Sequence, residues 1–187
     1  GGNHFIHNIR RNVDITHFVH NNQIYGLTTG QASPTSAMGH VTSVQVGGNK
    51  NQPLNPLLLA IVSGAGFVAR AYSADKDYLV SIMKEAINYP GYAVVDIFQP
   101  CPSFNKVNTY AYYGERVYKL DEDYDPSNKM MAIEKAMEGD DTLPIGVIYK
   151  EDKANFHEKN EVLSKGRPLL DIKTDLDLVN KLIQEFI

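Results

Sequence analysis

Tyr92-Ala93-Val94-Val95-Asp96-Ile97-Phe98 leaves this chain the fewest ways to fold. It is apolar at every position but one and does not alternate, so a strand with one wet face is excluded. A run of that kind is the look of a central parallel strand covered on both sides. Before it lie a short strand, Phe67 to Tyr72, and a helix capped within residues 73–75. In that helix Tyr78, Leu79, Ile82, Met83, Ala86 and Ile87 recur every three or four residues, and Pro90-Gly91 ends it. Strand, helix and strand in alternation predict an α/β domain with a doubly wound, mostly parallel sheet.

The remaining segments fit the same plan. The opening residues, with Phe5, Ile6 and Ile9 at helical spacing, predict a helix ending near Asn12, and residues 15–19 predict a strand. The glycine-rich stretch 39–52 reads as a flexible cover. Asn55-Pro56 begins a helix with a cap and a first-turn proline, its buried face made of Leu57, Leu58, Ile61 and Val62. Asp125-Pro126-Ser127 is expected to open a helix bearing Met130, Ile133, Ala136 and Met137, followed by a strand at residues 145–149. Thr174 is expected to cap a last amphipathic helix carrying Leu176, Val179, Leu182, Ile183 and Phe186. The division expected is an α/β domain over residues 1–149 and a carboxy-terminal arm and helix, facing a partner, over 150–187. The chain starts without methionine inside a helix, so the expectation is a fragment whose first strand and loop are missing.

Charge narrows the function. A net charge of -4 with scattered Lys and Arg gives no electrostatic reason to bind nucleic acid, and no apolar run approaches the length of a membrane span. One cysteine cannot form an internal disulfide, which makes a reducing cytoplasm the expected setting.

Chemistry concentrates where the strand of residues 15–19 ends. The sequence there is Asn21-Asn22-Gln23-Ile24-Tyr25-Gly26-Leu27-Thr28-Thr29-Gly30-Gln31-Ala32-Ser33-Pro34-Thr35, and an α/β sheet presents its ligands at the carboxyl ends of its strands. Magnesium needs oxygen ligands, shared among a few protein groups, waters and substrate phosphates. The side-chain carbonyl of Asn22 and the main-chain carbonyl of Ile24 can turn toward one ion. Gly26 lets backbone approach a ligand closely, and Thr28 offers a hydroxyl to a phosphate. An Asn-Asn pair before Tyr-Gly also serves as a plain turn. Asp96, inside its apolar strand, reads as a hydrogen-bonded structural carboxylate, and Tyr110, Tyr112 and Tyr113 as packing.

That loop resembles the second half of the thiamine diphosphate motif in β subunits of 2-oxoacid:ferredoxin oxidoreductases. The opening Gly1-Gly2-Asn3-His4-Phe5-Ile6-His7 with Arg10-Arg11-Asn12 resembles the helix preceding it. Further matches are Pro53-Leu54-Asn55-Pro56, Phe67-Val68-Ala69-Arg70, Pro100-Cys101-Pro102-Ser103-Phe104-Asn105 and Pro144-Ile145-Gly146-Val147. The resemblance implies a thiamine diphosphate-binding fold lacking its amino-terminal part. It implies that Asn22 and the Ile24 carbonyl hold the magnesium under the cofactor's diphosphate, and that Tyr25, Gly26, Leu27, Thr28, Thr29 and Gly30 line the cofactor. The other metal ligand, an aspartate of a Gly-Asp-Gly motif, is expected upstream of Gly1. Thr29 stands where many relatives have Lys or Gly.

By the same resemblance Cys101 is one ligand of a 4Fe-4S cluster whose other cysteines lie upstream. A lone cysteine read without it is an inert buried thiol. The implied activity is oxidative decarboxylation of a 2-oxoacid to acyl-coenzyme A and CO2, with electrons passed to ferredoxin and an α subunit (or α, γ and δ subunits) as partner. The alternatives are a non-redox thiamine diphosphate decarboxylase or synthase, which has no use for Cys101, and a non-catalytic assembly module.

Overall fold

A computed structural model describes residues 2–139, 141–166, 168–171 and 173–186; Gly1, at the head of the opening match, lies outside them. In chain order the elements are α1 (Gly2–Arg11), β1 (Ile15–Asn21), α2 (Pro56–Ser63), β2 (Phe67–Tyr72), α3 (Lys76–Asn88), β3 (Tyr92–Phe98), α4 (Tyr110–Gly114), β4 (Val117–Lys119), α5 (Lys129–Met137), β5 (Leu143–Lys150) and α6 (Leu176–Gln184), with two short 3-10 turns, Leu163–Lys165 and Leu169–Asp171.

Among the described residues the strands form one sheet in the order β1-β3-β2-β5-β4. β3 runs parallel to β1 on one side and to β2 on the other, as its unbroken apolar run predicts, while β5 is antiparallel to β2 and parallel to β4. The period-two alternation of β3 sorts its side chains onto two faces. Tyr92 and Val94 point with Val68 into a core closed by Ile9 of α1, Leu57 and Ile61 of α2 and Ala132 and Ala136 of α5. Ala93, Val95 and Ile97 point the other way, where the small Ala69 and Ala71 of β2 leave room for Ile82 and Ala86 of α3. No helix among the described residues is long and apolar enough to cross a membrane.

Several expected boundaries move, each for a local reason. β1 continues two residues past Val19, because Phe98 and Ile97 still offer partners to Asn21 and His20. In α2 the buried residues are Leu57, Ala60 and Ile61, and Val62 faces solvent instead of the core. Ile87 of α3 is exposed too. The side chain of Asp125 takes hydrogen bonds from Ser127 N and Oγ, a closed turn that delays the helix until Asn128 caps it. α5 thereby buries Ala132 and Ala136, leaving Met130 and Met137 outside. Asp175, not Thr174, caps α6, accepting from the N–H groups of Asp177 and Leu178. The stretch 39–52 is pinned: the buried Asn49 side chain donates to the carbonyls of Ser36, Ala37 and Asn51.

Residues 151–156 return across the domain. Phe156 N donates to Asn12 O at 2.8 Å, and Asn12 Nδ2 to Ala154 O at 3.1 Å. The other amide atom of Asn12 accepts from Tyr92 N at 2.9 Å, so one side chain joins α1, β3 and this strap. A Cβ on Gly91 would lie 2.6 Å from that oxygen, which only glycine avoids.

Candidate functional site

β1 delivers Asn21 and Asn22 to the carboxyl edge of the sheet. Gln23 then takes a left-handed conformation (φ 55°) and turns the chain upward into the loop. Each residue around this turn is held by a distant one. Asn105 Nδ2 donates to Asn22 O at 3.0 Å, Gln23 Nε2 to Tyr113 Oη at 3.2 Å, and Ser36 Oγ to Gln23 O. Tyr113 is fully buried and stacks on Phe98 at 4.6 Å between ring centres.

The tip is a closed turn in which Tyr25 N donates to Gln31 O at 2.8 Å and Gly30 N to Tyr25 O at 3.0 Å. Among the described residues the N–H groups of Gly26, Leu27 and Thr28 meet no acceptor, and neither does any donor reach the Ile24 carbonyl. Successive backbone N–H groups free of acceptors are what a phosphate-binding turn offers. Asn22 Oδ1 accepts from Ile24 N at 3.1 Å, yet a carboxamide oxygen has two lone pairs and keeps one for a cation. Thr28 Oγ1 donates to Gln31 Oε1, so a phosphate would have to compete for that proton. Leu27 is 98% exposed. Thr29 sits at φ 76°, a strained backbone for a β-branched residue and one that costs on the order of 1–3 kcal/mol.

Beside the turn opens a cavity of about 600 Å³, walled by Phe5, His17, Val19 and Leu59 and floored by Asn22, Ile24 and Gly26. His17 Nδ1 pairs with Tyr92 Oη at 2.8 Å, and His20 Nδ1 with Gln99 Oε1, so the two histidines serve separate partners. Burial lowers the pKa of His17 and keeps its ring neutral at ordinary pH.

Cys101, two residues beyond the Phe98 to Gln99 corner, comes to the base of the loop. A Cβ placed on Gly26 would stand 3.2 Å from Cys101 Sγ, so the glycine admits the sulfur against the backbone of the turn. All the predicted site residues, Asn22 and residues 24–30 with Cys101, therefore share one corner of the sheet. Sequence reasoning singled out neither the support from Asn105 nor the buried Arg70, whose Nε stands 3.5 Å from Asp96 Oδ2 at the carboxyl end of β2. Both stood inside matched segments, and an arginine in an otherwise apolar strand was a signal in itself.

An α/β sheet that presents a turn with free N–H groups at a strand end defines a class, and the family profile described as thiamine pyrophosphate enzyme, C-terminal TPP binding domain, matches residues 1–97. A second profile, for the carboxy-terminal region of the pyruvate ferredoxin oxidoreductase beta chain, matches residues 101–165. The chain is 46% identical over 170 residues to the 2-oxoacid:ferredoxin oxidoreductase subunit beta of Saccharolobus solfataricus, covering 85% of this chain and 56% of that one. It is 43% identical over 180 residues to subunit beta of 2-oxoacid:ferredoxin oxidoreductase 1 of Aeropyrum pernix, covering 90% and 56%. Among solved structures, a 2-oxoglutarate:ferredoxin oxidoreductase from Magnetococcus marinus with 2-oxoglutarate, coenzyme A and succinyl-CoA bound superposes with a TM-score of 0.86 at 34% identity, over 97% of this chain and 62% of that one. This chain belongs to the family of 2-oxoacid:ferredoxin oxidoreductase β subunits, and it spans a little over half the length of the curated relatives it matches.

Proposed function

We propose that this chain forms the diphosphate and magnesium clamp of a 2-oxoacid:ferredoxin oxidoreductase. The observation that carries the reading is the turn after β1, where unpaired N–H groups of Gly26, Leu27 and Thr28 stand beside the free carbonyl of Ile24 and the carboxamide of Asn22. In this reading Asn22 Oδ1 and Ile24 O hold the magnesium, the three N–H groups take the diphosphate oxygens, and Tyr25, Thr29 and Gly30 complete the wall. Thiamine diphosphate, when bound, supplies the carbanion chemistry that decarboxylates a 2-oxoacid. The residues of this chain bind and orient the cofactor, and the apolar side of the cavity excludes water from it.

Cys101 against Gly26 sets a sulfur ligand at the foot of the clamp, suited to one corner of a 4Fe-4S cluster. Such a cluster takes four thiolates, and the remaining three would come from outside these 187 residues, which hold a single cysteine. The complete reaction is then 2-oxoacid, coenzyme A and two oxidised ferredoxins giving acyl-coenzyme A, CO2, a proton and two reduced ferredoxins. Electron transfer through thiolate-held iron suits the reducing cytoplasm.

Residues 150–187 would lie along the α subunit. The segment is rooted at Asn12, and beyond the root α6 exposes Leu178, Leu182 and Ile183 with no residue buried. The test is turnover by the complete enzyme: ferredoxin reduction requiring a 2-oxoacid, coenzyme A, Mg2+ and thiamine diphosphate is expected. Turnover that survives removal of thiamine diphosphate, or decarboxylation with no reduction of ferredoxin, would contradict it.

A further inference from the structure

Beneath the clamp, at the carboxyl ends of β2 and β3, lies a charge pair on the face otherwise given to Val68 and Val94. Arg70 and Asp96 are register partners, 5% and 1% exposed, with Arg70 Nε 3.5 Å from Asp96 Oδ2. The guanidinium also lies over the Phe98 ring at 4.9 Å, and its Nε and Nη1 find no hydrogen-bond acceptor. As a source of stability this is a poor arrangement. Two apolar residues of similar volume avoid the desolvation cost and usually do as well or better. Burial pushes the Asp96 carboxyl up, and the guanidinium of Arg70 and the amide of Asn21 oppose that push.

The pair makes sense through what its other oxygen holds. Asp96 Oδ1 accepts from Asn21 Nδ2 at 3.0 Å, and Asn21 Oδ1 accepts from Thr35 Oγ1 at 2.7 Å. A carboxylate only accepts, so Asn21 must turn its NH2 down toward Asp96 and its oxygen up toward Thr35. One line of contacts thus runs from the middle of the sheet, through a 6% exposed asparagine, to both ends of the loop. Asn21 is where the chain enters it, Thr35 where the chain leaves it, and Asn22 is the next residue on.

We infer that Asp96, steadied by Arg70, is a positioning residue for the clamp: by fixing which way the Asn21 amide faces, it ties the two ends of the loop together and sets where Asn22 and the Ile24 carbonyl point. This rests on the reading of Asn22 and Ile24 given above. It assigns Asp96 no contact with cofactor or substrate. The prediction is therefore a split between cofactor affinity and turnover, which a merely structural carboxylate would not produce.

The experiment uses the complete enzyme stripped of cofactor, with Asp96→Asn and Thr35→Val made singly and together. Binding of thiamine diphosphate at saturating Mg2+ is measured by calorimetry, and kcat is measured at saturating cofactor. Asp96→Asn is expected to weaken binding about tenfold and Thr35→Val about fivefold, with kcat within about threefold of the parent in both. Because both act through one amide, the double variant should bind no more than about twofold more weakly than Asp96→Asn alone. Factors that multiply, or affinities equal to the parent's, would overturn the inference. If Asp96→Asn does not fold, Thr35→Val decides alone, and unchanged affinity there overturns it. A parent enzyme that binds no thiamine diphosphate would instead overturn the cofactor reading on which this stands.

Discussion

Among the described residues, the loop after β1 and the tail after residue 158 are both largely exposed and without named strands, yet they are held in opposite ways. The loop is gripped from far along the chain: Tyr113 holds Gln23, Asn105 holds Asn22, and Asp96 holds Asn21. In the tail, among the described residues, the hydrogen bonds are local, such as Asn160 capping Val162 and Leu163 and Asp175 capping α6. The loop even keeps Thr29 in a strained conformation, which persists only where the surroundings over-determine it. Fixed geometry is what the proposed metal and diphosphate clamp would need; the proposed partner-facing tail carries no such requirement.

Substitutions at the two places should therefore separate sharply. The largest effect is expected at Tyr113, whose ring is buried under Gln23 and against Phe98. Tyr113→Ala should destabilise by about 4 kcal/mol, read from chemical denaturation. Asn12→Ala comes next. It loses contacts to Tyr92 and Ala154 and leaves alanine at φ 52°, for about 2–3 kcal/mol. Asn12→Gly, which accepts that φ, should cost less. If the two variants are equal, backbone strain is not part of the account.

Thr29→Gly should change stability in the other direction, raising it by about 1 kcal/mol as the strain is released. A loss of stability would mean that the threonine side chain is itself doing the holding. The smallest effect is expected in the tail. Leu182→Asp, on the exposed face of α6, should move the unfolding free energy of the isolated chain by under about 0.5 kcal/mol, while weakening co-purification with the α subunit. A cooperative loss of stability there would show that the tail packs on its own domain.

How much of this could be read from residues follows the same division. The β3 run was legible because burial on both faces leaves a pattern in consecutive residues, and the caps at Asn55 and Asp75 because capping is a local rule. Asn22, Ile24 and Gly26 stood out for their chemistry in a short stretch. The supports of the loop were not legible: Gln23 to Tyr113 and Asn22 to Asn105 join residues far apart in the chain, and no periodicity encodes such pairs. β4 and α4 went unnoticed because three strand residues and five helical ones make no period. The caps at Asn128 and Asp175 were misplaced by one to three residues because several cap-forming side chains stand in succession there, and geometry alone chooses among them.

The proposed clamp requires Asn22 as a ligand to the divalent ion. In the complete enzyme, Mn2+ can replace Mg2+ and its binding in the presence of thiamine diphosphate can be followed by electron paramagnetic resonance, comparing the parent with Asn22→Ala. The expected result for Asn22→Ala is Mn2+ binding weakened by about tenfold or more with an unchanged unfolding midpoint for the metal-free protein. Equal Mn2+ affinity in the two proteins would contradict it.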